Sequence, residues 1–130
     1  MLERWLLDSD VAIDYLRDRR EAIHYLESLE GSLLLSTLTV AELYAGLRGE
    51  REQRHLEQFL LAFEVLPVSQ EVGRVGGLFR RNYGPSHGTG LVDALIAATA
   101  QLQQATLVTF NGRHYPMLND VQVPYARQGG

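Results

Sequence analysis

The sequence contains no cysteine and no lysine, and these two absences exclude several kinds of site. Without cysteine the chain forms no disulfide, binds no zinc through thiolates and has no cysteine nucleophile. All 12 basic residues are arginines, so a mechanism that depends on a lysine, such as phosphate binding by a P-loop, is excluded as well. No apolar run approaches the roughly 18 residues that a membrane-spanning helix needs. We therefore expect a cytoplasmic protein that makes no contact with a membrane.

The remaining composition is that of an ordinary folded domain. Hydrophobic residues make up 45% and charged residues 22% of the 130 residues, which favours a packed core over a disordered chain. We expect a single domain over residues 1–130, with a flexible tail at about 125–130. The formal net charge of −4 argues against indiscriminate binding to duplex nucleic acid, which depends on many phosphate contacts. A locally basic groove or a basic partner is compatible with this charge.

Short apolar runs alternate with amphipathic segments along the whole chain. The strands predicted from these runs cover residues 5–7, 33–35, 65–68, 105–109 and 121–123. The helices predicted between them cover about residues 11–20, 21–29, 39–47, 50–63, 69–83 and 91–103, and the glycine-rich segment 84–90 is expected to be a loop. This alternation predicts an α/β fold with three layers, α/β/α, around a parallel sheet of four to five strands.

Acidic side chains occur where the predicted strands end or the following helices begin. Asp8 directly follows the first strand, Glu42 lies in the first turn of the helix after the second, and Asp93 is near the start of the helix before the fourth. The carboxyl ends of parallel strands meet at one edge of the sheet, so we expect the three carboxylates to share a crevice, with Asn111 beside them. Carboxylates that converge in this way resist ionising together unless a cation joins them. Their oxygens favour Mg²⁺ or Mn²⁺ over zinc.

Each of these acids also has a structural explanation when it is taken alone. Thr39 and Glu42 match a capping box, in which the glutamate returns a hydrogen bond to the start of its helix. Asp93 could complement a helix dipole, and Asp8 could close a turn of the chain. Their joint placement at equivalent ends of successive units, rather than any one residue, predicts the metal site.

Four segments of the chain resemble the motifs of PIN-domain nucleases and occur in that family's order. The segments are Leu6–Ile13, Ser36–Gly46, Leu91–Ala100 and Leu107–Tyr115. The second is similar to the corresponding motif of VapC-type toxins within that superfamily. Because the four segments span nearly the whole chain, the resemblance implies that the α/β domain is PIN-like.

The resemblance implies a VapC-like endoribonuclease, the toxic half of a type II toxin–antitoxin pair. By position, Asp8, Glu42 and Asp93 would be the catalytic and metal-binding acids, with Mg²⁺ or Mn²⁺ as the cofactor that activates a water for phosphodiester hydrolysis. The supporting positions are Asp10, Thr39, Thr109 and Asn111, and the candidate RNA contacts are Arg113 and His114.

Two positions depart from the family's pattern. Asp10 stands where relatives usually carry asparagine, so it adds a negative charge beside the site. Asn111 stands where many relatives carry an acid, which leaves a second metal position short of one carboxylate. The Asn111 amide could instead orient a water at the site.

Partners also follow from the resemblance. It implies an RNA substrate, and a cognate antitoxin that inserts a basic or aromatic segment into the acidic crevice. It further implies a homodimer, which forms a heterotetramer or a larger assembly with the antitoxin. The apolar side of the predicted helix over residues 50–63 is a candidate surface for the dimer.

Two other functions are compatible with the sequence. The segment Asp8-Ser9-Asp10 has the D-x-D spacing of haloacid-dehalogenase-like phosphatases, although the lysine that this class generally uses is absent. Alternatively, a PIN fold could bind or process RNA with a weak toxin role or none.

Overall fold

The computed structural model describes residues 3–127, and within them strands and helices alternate in the predicted order. The five strands are β1 (Arg4–Leu7), β2 (Ser32–Ser36), β3 (Glu64–Leu66), β4 (Thr106–Val108) and β5 (Val121–Gln122). The six helices are α1 (Ser9–Leu16), α2 (Arg20–Ser28), α3 (Thr37–Ala45), α4 (Glu50–Leu60), α5 (Gln70–His87) and α6 (Leu91–Leu102), and a 3-10 turn covers Gly112–His114. Among these helices, none combines the length and the apolar character that crossing a membrane requires.

All neighbouring strands are parallel, in the order β3-β2-β1-β4-β5. The chain builds outward from β1 through β2 to β3, and then crosses back to place β4 on the other side of β1. The space between β1 and β4 is therefore a topological switch point, where a crevice opens at the carboxyl ends of the strands. Asp8 follows β1 and Thr109 follows β4, so both residues lie at this point.

Consecutive residues of the central strands face opposite sides of the sheet, and each side has its own core. Leu6 and Leu107 pack in one core with residues of α6. Leu7 and Val108, their neighbours in sequence, pack in the other core with residues of α1, α2, α3 and α4. Burial on both faces explains why the strands are apolar without alternation, and it confirms the predicted three-layer α/β/α fold.

Helix α3 begins earlier than predicted, and this changes the interpretation of Glu42. The N-cap is Ser36, whose hydroxyl accepts a hydrogen bond from the backbone N–H of Leu38 at 3.0 Å. The glutamate of a capping box would then stand three residues later, where the buried Thr39 lies. Glu42 is therefore in the second turn of α3, and both its predicted place in the first turn and the capping-box explanation are wrong. Its carboxylate is not needed to start the helix.

Helix α5 extends into the segment 84–90, which the sequence predicts to be a loop, and takes up its first four residues. It runs to His87, with Pro85 inside its last turn, and ends at Gly88 with φ +67°. Glycine adopts this left-handed conformation without a steric penalty, so Gly88 ends the helix in the usual way. Pro85 has no N–H to donate to the carbonyl four residues earlier, so the last turn of α5 lacks this one hydrogen bond.

Helix α4 packs its apolar side into the protein. It ends at Leu60 rather than at Phe63, and its Leu56 and Phe59 are buried in the core that it shares with α1 and α3. The apolar pattern of this helix is therefore explained by core packing. A role of this segment in a dimer stays a prediction.

Residues 125–127 are held against α1, contrary to the expectation of a flexible tail there. The hydroxyl of Tyr125 donates to Asp14 at 2.9 Å, and the guanidinium of Arg127 lies 3.1 Å from the same carboxylate. Asp14 is only 5% exposed, and burying this acid without partners would be costly. The rest of the expected tail, residues 128–130, lies outside the described residues.

Candidate active site

Asp8 caps helix α1 at the carboxyl end of β1. Its Oδ1 accepts from the backbone N–H of Ser9 at 2.9 Å, and its Oδ2 accepts from the hydroxyls of Thr109 at 2.8 Å and Tyr115 at 3.0 Å. Burial raises the pKa of Asp8, and the nearby charge of Asp93 raises it further, whereas these three hydrogen bonds lower it. The predicted turn-closing role is thus present, but it uses only one of the two carboxylate oxygens.

A single buried hydroxyl joins Asp8 to Asp93. Tyr115 is 1% exposed, and its Oη lies 3.0 Å from Asp8 Oδ2 and 3.2 Å from Asp93 Oδ1. Burial and the charges of the two aspartates raise the pKa of Tyr115 far above its usual value, so the hydroxyl keeps its proton. The hydroxyl has one proton, so it donates a hydrogen bond to only one of the two carboxylates at a time. The negative charge of the pair is therefore only partly compensated.

Glu42 faces the same crevice from helix α3. Burial raises the pKa of Glu42 first, the charges of Asp8 and Asp93 raise it further, and a hydrogen bond with the side chain of Ser9 lowers it. Across residues 3–127, however, no three acidic or histidine side chains are gathered closely enough to hold a metal ion as they stand. The three acids therefore lie at the same edge of the sheet, and at least one side chain would have to rotate before all three could contact one ion.

Asp10 lies beside this group and fixes the chain after β4. Its Oδ2 accepts from the backbone N–H of Phe110 at 3.1 Å and from the side-chain amide of Asn111 at 3.3 Å. Its Oδ1 is buried and has no hydrogen-bond partner in the part of the chain that the structure describes. Burial, and after it the charge of Asp8, raises the pKa of Asp10 to about 6.

The predicted supporting residues have different surroundings. The hydroxyl of Thr109 donates to Asp8 and accepts from the backbone N–H of Asn111 at 3.1 Å, so it links the end of β4 to the start of α1. The side-chain amide of Asn111 is engaged with Asp10. Thr39 is fully buried in α3, and its hydroxyl has no partner among residues 3–127.

The 3-10 turn places the two predicted RNA contacts differently. Arg113 is exposed, whereas His114 lies with its Nδ1 3.3 Å from Asp93 Oδ2. The buried Thr89, between α5 and α6, donates its hydroxyl to the backbone carbonyl of His114 at 2.7 Å. His114 is therefore held against the acidic group, whereas Arg113, the preceding residue, is exposed.

The donor set of this crevice fits a hard divalent cation. Asp8, Glu42 and Asp93 offer carboxylate oxygens, the ligands that Mg²⁺ and Mn²⁺ prefer. A cation would offset the negative charges of Asp8 and Asp93, which contact the same hydroxyl. It would also favour the ionised form of Glu42. The unpaired buried oxygen of Asp10 adds a further negative atom beside them.

Tyr115 is the site residue that sequence reasoning missed. In the sequence it stands out only as the end of the fourth resembling segment. The one available signal is chemical, because a tyrosine buried in an apolar core needs a hydrogen-bond partner for its hydroxyl. Nothing in the local sequence identifies that partner, since Asp8 is 107 positions away along the chain.

Together, the fold and the site define a parallel α/β domain with an acidic crevice at its topological switch point. The PIN domain family matches residues 5–117, and the chain belongs to this family. Its relatives include two from Mycobacterium tuberculosis. Ribonuclease VapC10 is 39% identical over 127 residues, covering 95% of each chain, and Ribonuclease VapC19 is 41% identical over 124 residues, covering 92% of this chain and 98% of the relative.

A solved structure gives the same result. The chain is similar to a toxin–antitoxin complex from Klebsiella pneumoniae, with a TM-score of 0.81 and 29% identity, covering 92% of this chain and 97% of that one. These comparisons confirm the resemblance to PIN-domain nucleases and to the VapC-type members among them. The haloacid-dehalogenase alternative is wrong, because the D-x-D spacing of Asp8 and Asp10 belongs here to a PIN domain.

Proposed function

We propose that this chain is a metal-dependent endoribonuclease that acts as the toxin of a VapBC-type toxin–antitoxin pair in the cytoplasm. The observation that supports this most directly is the contact of Asp8 and Asp93 with one hydroxyl at the switch point, with Glu42 facing the same crevice. The two relatives from M. tuberculosis are named ribonucleases, and both match nearly the full chain. RNA is therefore the substrate class that we assign.

In this proposal Asp8, Glu42 and Asp93 hold Mg²⁺ or Mn²⁺. When bound, the cation would lower the pKa of a water and neutralise part of the negative charge on the phosphate. Asp8 keeps one orientation, because Ser9 and Thr109 bind its two oxygens. Glu42, which faces the same acids, would hold the cation directly or through a water, or would accept the proton of the attacking water. Since water attacks rather than the ribose 2′-hydroxyl, the products carry a 5′-phosphate and a 3′-hydroxyl.

Arg113 is our proposed contact with an RNA phosphate. It is exposed on the turn that also places His114 against Asp93, so a phosphate bound there lies beside the acidic crevice. An arginine binds phosphate through two parallel hydrogen bonds. His114, which faces both Asp93 and solvent, is a second contact in this proposal.

We infer that the protein partner is a cognate antitoxin. A groove between α1, α3 and α4 is lined by apolar side chains such as Ile13, Leu16 and Leu47, and Glu42 is one of the charged residues that also line it. An amphipathic segment fits such a groove, and a basic residue on it could reach the acids. The similar structure from Klebsiella pneumoniae is a toxin–antitoxin complex. A homodimer, and a heterotetramer or larger assembly with the antitoxin, stay predictions that light scattering on the purified complex would test.

The proposal is tested by cleavage of structured RNA. We expect cleavage with Mg²⁺ or Mn²⁺, none with EDTA, and a loss of at least about 100-fold in Asp8→Asn, because the variant lacks one carboxylate charge for the cation. Asparagine still caps a helix, so this variant should fold. The control is Asp120→Asn, the same change at an exposed position, which should cleave like wild type. A folded Asp8→Asn protein that cleaves as well as wild type would disprove the assignment.

A further inference from the structure

Tyr115 enters the acidic crevice from a position that fixes its hydroxyl. Its ring belongs to the core formed with Leu6, Ile96 and Leu107, directly below the carboxyl edge of the sheet. A ring packed on several sides has little freedom to turn. The hydroxyl is therefore held in place by the core and not only by the acids that it contacts.

The hydrogen bonds at Asp8 show which oxygen the site leaves open. A carboxylate oxygen has two lone pairs. At Asp8 Oδ2 both are used, by the hydroxyls of Thr109 and Tyr115. Among residues 3–127, Asp8 Oδ1 accepts only from the backbone N–H of Ser9, so it retains one lone pair.

Asp93 is held in a similar way. Its Oδ1 contacts Tyr115, and its Oδ2 lies beside Nδ1 of His114. Each oxygen has one contact among the described side chains, so each retains a lone pair. The tyrosine hydroxyl thus contacts one oxygen of each aspartate and donates its proton to one of them at a time, and each aspartate keeps a lone pair for a cation.

We propose that Tyr115 is a positioning residue for the cation site. Its hydroxyl orients Asp8 and Asp93 together, so that their remaining lone pairs face the same point in the crevice. This inference rests on the proposed function, since it assigns a role toward the cation proposed there. Hydrogen-bond partners behind metal ligands typically account for roughly 10- to 100-fold in metal affinity.

The variant Tyr115→Phe tests the inference, because it removes the hydroxyl and keeps the ring. We expect the Kd for Mn²⁺, measured by titration calorimetry without RNA, to rise about tenfold or more. We also expect kcat for RNA cleavage to fall while KM is nearly unchanged. The matched control is Tyr125→Phe, which removes a hydroxyl from the buried Asp14 outside the crevice and should bind Mn²⁺ like wild type.

A second measurement needs no variant. The ¹³C NMR signal of the Tyr115 ring carbon bonded to oxygen should shift when Mg²⁺ is added to wild type, whereas that of Tyr125 should not. This result would support the inference even if Tyr115→Phe did not fold. An unchanged Tyr115 signal in a sample that binds Mg²⁺ would overturn it.

The outcomes separate this inference from the proposed function. If wild type binds Mn²⁺ and Tyr115→Phe binds it equally well, the positioning role is wrong and the nuclease proposal stands. Equal losses of Mn²⁺ affinity in Tyr115→Phe and Tyr125→Phe would indicate a general effect on stability and would also overturn the inference. If wild type neither binds Mn²⁺ nor cleaves RNA, both proposals fail.

Discussion

Asp10 is an acid that the folded chain keeps partly away from water and close to other acids. Burial and the charge of Asp8 raise its pKa from 3.8 to about 6. The backbone N–H of Phe110 and the amide of Asn111 offset part of this cost by donating to Oδ2. At neutral pH the Asp10 side chain is therefore ionised at the expense of stability.

The pH dependence of stability follows from this shift. The folded metal-free chain binds the Asp10 proton more tightly than the unfolded chain, so the free energy of unfolding should fall as the pH rises from about 4 to about 6. Asp10→Asn should unfold like wild type below about pH 4. Above about pH 6 it should be more stable by about 1–2 kcal/mol, a value reduced to allow for the partial exposure of Asp10. Urea denaturation with EDTA at several pH values measures the difference.

The exposed Asp120 provides the control for this prediction. Asp120→Asn makes the same change in net charge outside the crevice, so it separates a local effect from an effect of overall charge. A stability gain in Asp10→Asn that is the same at pH 4 and pH 8 would contradict the explanation based on burial.

Packing between α5 and α6 positions the acid-bearing end of α6. A Cβ atom added at Gly76 would lie 3.1 Å from the Cα of Leu95 and 2.6 Å from its Cδ2, whereas one added at Gly77 would have nothing within 4 Å. Gly76→Ala should therefore destabilise the fold by about 1–3 kcal/mol, because the helices must separate. Gly77→Ala should stabilise it by about 0.5–1 kcal/mol, because it only reduces the freedom of the unfolded chain.

Both effects are measurable by urea denaturation of the two variants. Leu95 lies two residues after Asp93, so we also expect Gly76→Ala to lower the rate of RNA cleavage at a temperature where it is still folded. If the two alanine variants were equally stable, the helices would accommodate the added methyl group at Gly76 without a cost in stability. The close contact with Leu95 would then not fix the position of α6.

Local signals in the sequence predict most elements but not all of their ends. The strands are recognisable because apolar runs such as 33–35 are short and bounded by polar residues. The start of α3 is ambiguous, because Ser36, Thr37 and Thr39 all carry a hydroxyl that can cap a helix, and only the backbone shows that Ser36 does so. Pro85 was expected to lie in a loop, yet the helix includes it and ends at Gly88.

The acids of the site were predictable for a different reason. A parallel sheet brings the carboxyl ends of its strands to one edge, so Asp8 and Asp93 could be paired without knowing any side-chain contact. Their link through Tyr115 could not be predicted, because it depends on how the chain after β4 folds back over the core. The position of His114 against Asp93 depends on the same turn.

At the scale of the whole molecule, the acidic crevice should couple folding to metal binding. A cation that binds only the folded chain stabilises it by about 2.7 kcal/mol at 100 times its Kd. For a domain of this size we expect Mn²⁺ to raise the Tm by several degrees at neutral pH. The rise should be smaller at pH 5, because protons compete for Asp8, Asp10 and Glu42, whose pKa values are all raised.

Thermal unfolding followed by circular dichroism, with Mn²⁺ or with EDTA, measures this coupling. Asp8→Asn should lose most of the rise in Tm, whereas Asp120→Asn should keep it, since only the first change removes an oxygen charge from the crevice. If Mn²⁺ raised the Tm of Asp8→Asn as much as that of wild type, the ion would be binding elsewhere. A cation bound between β1 and β4 would then not explain why the folded chain buries acids that destabilise it when no metal is present.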